Sequence, residues 1–79
     1  MKYVYILRSV GPEEHFYVGL TNDLRERLRK HNAGEVPHTS KFRPWALKTY
    51  LGFDSPERAV AFERYLKSGS GRAFAKKRL

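Results

Sequence analysis

The chain has 79 residues, no cysteine, and 16 Lys and Arg against 8 Asp and Glu, for a formal net charge of +8. That length allows one small domain, residues 1–79, with a modest core; the lack of cysteine excludes a disulfide framework and any Cys-based zinc site and fits a reducing cytoplasm. So much positive charge on so small a surface favours an anionic partner such as nucleic acid, and no segment is apolar enough to span a bilayer or amphipathic enough to anchor on one.

Tyr3-Val4-Tyr5-Ile6-Leu7 is rich in β-branched and aromatic residues and runs into a turn at Ser9-Val10-Gly11-Pro12, which predicts a first strand. His15 to Leu20 reads as a second strand, antiparallel to the first across a polar loop. By alternation Tyr3, Tyr5 and Leu7 share one face, and Tyr17 shares a face with His15 and Gly19. Asp23 followed by Glu26 resembles a capping box and starts a helix that Gly34 stops. An α-helix advances about 100° per residue, so Leu24, Arg27, Leu28 and His31 fall on one side of it. Two ionisable groups therefore turn toward the interior, where sequences break the apolar rule mostly at functional sites.

Residues 35–44 form a proline-bounded loop carrying His38, Thr39, Ser40, Lys41 and Arg43, all residue types that contact phosphate. Trp45 to Phe53 reads as a third strand with Leu47, Thr49, Leu51 and Phe53 on one face. Ser55 as N-cap and Pro56 at the first helical position start a second helix, which Gly69-Ser70-Gly71 ends. Within it Ala59, Phe62 and Leu66 make an apolar arc, and Glu63 falls inside that arc. A carboxylate facing a core is costly unless a positive group meets it, either a structural arginine or a metal ion. Residues 72–79 form a short basic terminal segment, read as a last turn or two of helix packed through Phe74. The expected fold is α+β: a small three-stranded antiparallel sheet flanked by helices, in the order ββαβα plus a short C-terminal helix.

Tyr3-Val4-Tyr5, Tyr17-Val18-Gly19, the helix bearing Arg27 and His31, and Glu63 on the later helix occur in the order of the GIY-YIG nuclease domain. The whole chain resembles that family, most closely its small standalone bacterial members, and is similar to the N-terminal nuclease domain of the incision endonuclease of nucleotide excision repair. Carried over position by position, Tyr5 and Tyr17 match the motif tyrosines, Arg27 the helix arginine, His31 the histidine and Glu63 the metal-binding glutamate. Three departures stand beside these matches. Tyr3 replaces the first motif's glycine, Leu20 follows Gly19 where some members carry a lysine, and no asparagine lies between Arg64 and Leu79.

The resemblance implies a metal-dependent endonuclease that hydrolyses phosphodiester bonds in DNA, structure-selective and linked to repair or recombination. It implies Mg²⁺, or Mn²⁺, on Glu63, with Arg27 on phosphate oxygens. The base is left among Tyr5, Tyr17 and His31. Arg25, Lys41, Arg43, Arg72, Lys76 and Lys77 are the expected nucleic-acid contacts. With few side chains left for base-edge readout, branched or damaged DNA is the expected partner, with a protein partner for targeting. Taken singly, Tyr5 and Tyr17 are ordinary strand residues, His31 an ordinary core histidine, and Glu63 with Arg27 a buried ion pair; the joint order carries the reading. The rival reading is a non-catalytic nucleic-acid-binding or adaptor module that keeps the fold.

Overall fold

Lys2–Ser9 forms β1, the central strand of a three-stranded sheet with the order β2-β1-β3, in a computed structural model that describes all residues 1–79. Strand β2 (Phe16–Thr21) and strand β3 (Trp45–Phe53) both pair antiparallel with it. A central strand covered on both faces reads as a continuous apolar run, which explains why Val4 to Leu7 are all buried. Val4 and Ile6 point one way, into a cluster with Ala59 and Leu66. Tyr5 and Leu7 point the other way and pack with Trp45, Leu24 and Leu28. Tyr3 lies on that same side near the sheet margin, edge-on to Tyr50 with ring centroids 5.9 Å apart.

The pairing of β1 with β3 shifts register between Ile6 and Leu7. Ile6 faces Thr49 while Leu7 faces Leu47, so Lys48 is the extra residue of a bulge. One inserted residue reverses the face of everything beyond it. Leu47 therefore lies on the side of Leu7 and Trp45, not with Thr49, Leu51 and Phe53 as plain alternation predicts.

Helix α1 (Leu24–Asn32) is capped by Asp23, whose carboxylate accepts from the Glu26 backbone N–H at 3.1 Å. Glu26 does not close the box; its carboxylate is engaged by Arg29 at 2.7 Å. Gly34 just beyond the helix takes a φ of 79°, which suits a residue without Cβ. The following loop contains a short 3-10 turn, Ser40–Phe42. Asn32 clamps the start of β3 from both sides: its side-chain amide donates to the Trp45 carbonyl at 3.1 Å and accepts from the Trp45 N–H at 2.6 Å.

Helix α2 (Pro56–Leu66) has the expected Ser55 cap and Pro56 start. Helix α3 (Gly69–Arg78) is longer than the sequence implies, because Ser68 caps it by accepting from the Gly71 N–H at 3.1 Å. The glycines read as a helix stop are its first turn. A Cβ on Gly71 would sit 2.7 Å from the Leu66 Cα, so glycine is what lets α3 turn back tightly against α2. Phe74, the expected anchor, lies on the rim with Tyr65 and Phe62; Ala75 and Leu79 make the contacts with the core. No helix is long and apolar enough to cross a membrane.

Candidate active site

Tyr5 stands at the middle of the central strand, opposite Gly19 of β2. The missing side chain at Gly19 leaves the space that the phenol ring occupies: a Cβ there would lie 2.6 Å from the Tyr5 Cζ. Helix α1 then brings His31 over this ring, and Arg27 one turn earlier, as the helical spacing predicts. His31 is 0% exposed. Tyr17 completes the group, its ring centroid 4.9 Å from that of His31 and 6.2 Å from that of Tyr5.

The hydrogen bonds have a direction. The Thr39 hydroxyl donates to the Val36 carbonyl at 3.3 Å, so the lone pairs of its Oγ1 face His31. With the Thr39 proton placed on Val36, we assign His31 Nδ1 as the donor to that oxygen, 2.7 Å away. Nε2 is then the acceptor, and the Tyr5 hydroxyl donates to it at 2.9 Å. Arg27 Nε–H donates to the same phenol oxygen at 3.2 Å. The Tyr5 oxygen is thus held between an acceptor that keeps its proton and a guanidinium that fills its lone pair.

Charge states follow from this burial. Desolvation first, and the Arg27 charge second, push the His31 pKa down from 6.5 to about 4, so the imidazole is neutral at pH 7. Burial pushes the Tyr5 hydroxyl above its ordinary value, against the opposing bond from Arg27; the charges of Tyr17 and Glu63 add to the upward push. The bond to Tyr5 raises the Arg27 pKa, with Tyr17 acting in the same sense, so the guanidinium stays charged.

Glu63 projects from α2 with only 12% of its side chain exposed. Its partner is Lys67, one turn on, and not Arg27, which makes no ion pair. Its negative charge is nevertheless felt at the Tyr5 hydroxyl. The structure therefore gathers Tyr5, Tyr17, Arg27 and His31 into one cluster, while Glu63 stands on α2 with Lys67 as its partner and contributes only the least of the influences on the Tyr5 hydroxyl. No three His, Asp or Glu side chains converge as a metal cage. A lone, largely buried carboxylate fits Mg²⁺ in one form, a mostly hydrated ion completed by a substrate phosphate.

Around this cluster the expected nucleic-acid contacts separate. Arg72 and Lys76 line a groove of about 990 Å³ together with Arg8, Lys48 and Lys67, which the sequence did not single out. Lys41 and Arg43 line a smaller cleft of about 360 Å³, where His15 stacks on Phe42 with ring centroids 3.9 Å apart. His15 borders both hollows. Arg25 and Lys77 are exposed and line neither. Thr39, grouped by its loop with phosphate-contact residues, is buried beneath His31 and touches no solvent-facing surface.

Comparison with known proteins gives the family of the chain. The family model described as the GIY-YIG catalytic domain matches residues 1–78. UPF0213 proteins of Streptococcus pyogenes serotypes M3 and M1 are 38% identical to the chain over 72 residues, covering 90% of it and 76% of the relative. A UPF0213 protein of serotype M5 is 36% identical over the same length and coverage. No solved structure gives a significant match.

Proposed function

Because the chain belongs to the GIY-YIG catalytic domain family, a nuclease superfamily, we propose that it is a metal-dependent DNA endonuclease, structure-selective and acting in repair or recombination in the cytoplasm. One observation supports this most: a guanidinium held at 3.2 Å from a buried phenol that is itself hydrogen-bonded to a buried histidine at 2.9 Å. A purely structural phenol–histidine pair has no need of an arginine that is left without a carboxylate partner. Arg27 keeps its terminal nitrogens available, and their planar fork suits the non-bridging oxygens of a phosphate.

In this reading Tyr5 aims Arg27 and is not the base, since burial and the bond to His31 both favour its protonated form. Tyr17, half-buried at the open side of the cluster, positions the attacking water. His31 stays neutral and fixes the Tyr5 proton. Glu63 holds the metal ion; when bound, Mg²⁺ or Mn²⁺ offsets charge on the scissile phosphate and assists the leaving 3′ oxygen. Losing one preorganised donor such as Arg27 typically costs about 10²–10³ in rate.

The rival, a non-catalytic nucleic-acid-binding or adaptor module, draws on the Glu63–Lys67 pair, which gives the buried carboxylate a structural partner. The test is incubation of purified protein with fork, flap, junction and plain duplex DNAs, with Mg²⁺, Mn²⁺ or chelator. Metal-dependent nicking of the branched substrates supports the endonuclease. Binding without cleavage of any substrate in either metal establishes the module instead.

A further inference from the structure

The groove of about 990 Å³ collects five cations from four parts of the chain: Arg8 on β1, Lys48 at the bulge of β3, Lys67 at the end of α2, and Arg72 and Lys76 one turn apart on α3. A solvated basic helix face would draw on one element; convergence from four needs the tertiary fold. Arg8, Lys48, Arg72 and Lys76 have no carboxylate partner, and Glu14 is the groove's one acid. Between these charges lies an apolar floor that includes Ile6, Val18 and Leu66, and beside it Phe16 is 53% exposed. Phe16 pairs across the sheet with Arg8, so ring and guanidinium share one face.

We infer that this groove binds a single-stranded stretch of DNA, with its phosphates on the five cations and a base stacked on Phe16. A duplex surface presents phosphates and sugars while its bases stay stacked inside; a large exposed ring within a cationic channel matches the unpaired strand instead. The groove lies on the α2 face of the sheet, across from Tyr5, and meets the candidate site only at its edge, where Tyr17 lines it and Lys67 pairs with Glu63. The inference rests on the nuclease reading for what happens to the strand once it arrives. The strand's affinity for the groove is independent of that reading.

The experiment is fluorescence polarisation of the full chain with a labelled oligo-dT and with a duplex of equal length, in chelator so that no cleavage occurs. The strand should bind more tightly than the duplex. Phe16→Leu should lose about 5- to 150-fold in strand affinity, the worth of one stacked base, while Phe16→Tyr keeps it. Arg72→Gln with Lys76→Gln should flatten the log–log salt slope by about 1.4. Equal or tighter duplex binding, or a Phe16→Leu chain that is folded by circular dichroism and binds the strand as well as wild type, would overturn the proposal. If the strand binds as described yet nothing is nicked in Mg²⁺, the groove stands and the nuclease reading falls.

Discussion

Tyr5 and His31 share a buried hydrogen bond of 2.9 Å, and Thr39 holds the far side of the same imidazole at 2.7 Å. With the Thr39 hydroxyl assigned as donor to Val36, it accepts from His31 Nδ1–H and leaves Nε2 for the Tyr5 proton. Thr39→Val keeps the shape and removes the acceptor. The Val36 carbonyl stays satisfied by the Thr39 and Ser40 amides, so the cost falls on the orphaned imidazole N–H, about 1–3 kcal/mol. We expect lower nicking and a mixed His31 tautomer by ¹⁵N NMR, with Thr39→Ser restoring both. A single Nδ1–H tautomer in Thr39→Val would show that the hydroxyl does not set it.

The neutral His31 makes stability depend on pH in a definite direction. Its folded pKa of about 4 lies below the ordinary 6.5, so the unfolded chain binds more protons between those values. The stabilisation is fully present above pH 6.5 and is lost as pH falls through the window to about 4. A shift of this size corresponds to up to about 3 kcal/mol. Urea midpoints measured between pH 7 and pH 4 should drop accordingly, and His31→Gln should flatten the curve. An NMR titration in which the His31 ring protonates near pH 6.5 would contradict it.

The parts that sequence reading reached are those with local causes. Helical period alone placed Arg27 and His31 together beneath the sheet, and the Ser55-Pro56 start of α2 needed only capping chemistry. The strand Trp45–Phe53 has the bounds that its composition implied. The bulge at Lys48 left no compositional mark, so the face of Leu47 came out reversed. Gly69-Ser70-Gly71 reads as a stop when judged locally, whereas the use of Gly71 here is close approach to α2. Thr39 was out of reach because the contact beneath His31 depends on how a loop folds back. Arg8, Lys48 and Lys67 were missed for the same reason: nothing in their neighbours along the chain says that they meet.

Gly19 is predicted to be intolerant of even one methyl group. A Cβ there would overlap the Tyr5 hydroxyl and stand 2.6 Å from Cζ. The ring cannot swing away without breaking its bonds to His31 and Arg27. Overpacking of this kind typically costs about 1–3 kcal/mol. Gly19→Ala should lower the melting temperature and reduce nicking further than the folded fraction explains, because the guanidinium loses its anchor. A Gly19→Ala chain with wild-type melting and wild-type rate would mean that the phenol has room to move and that its position is not critical.

Glu63 and Lys67 separate metal binding from strand binding. Glu63→Gln keeps the size and hydrogen-bonding reach of the side chain but removes its charge. A helix-surface ion pair is worth about 0–1 kcal/mol, and half of the Lys67 side chain is exposed, so stability should change little. Mg²⁺-dependent nicking should vanish while oligonucleotide binding in chelator persists. Lys67→Met acts in the opposite sense on the metal: with its cation gone the carboxylate is freed, and half-maximal nicking should need up to about fivefold less Mg²⁺. The same change removes one groove cation, so the salt slope for strand binding should fall by about 0.7. Metal titrations of nicking and salt titrations of polarisation read the two effects independently. A Glu63→Gln chain that unfolds, or one that nicks as well as wild type, would take the metal away from Glu63.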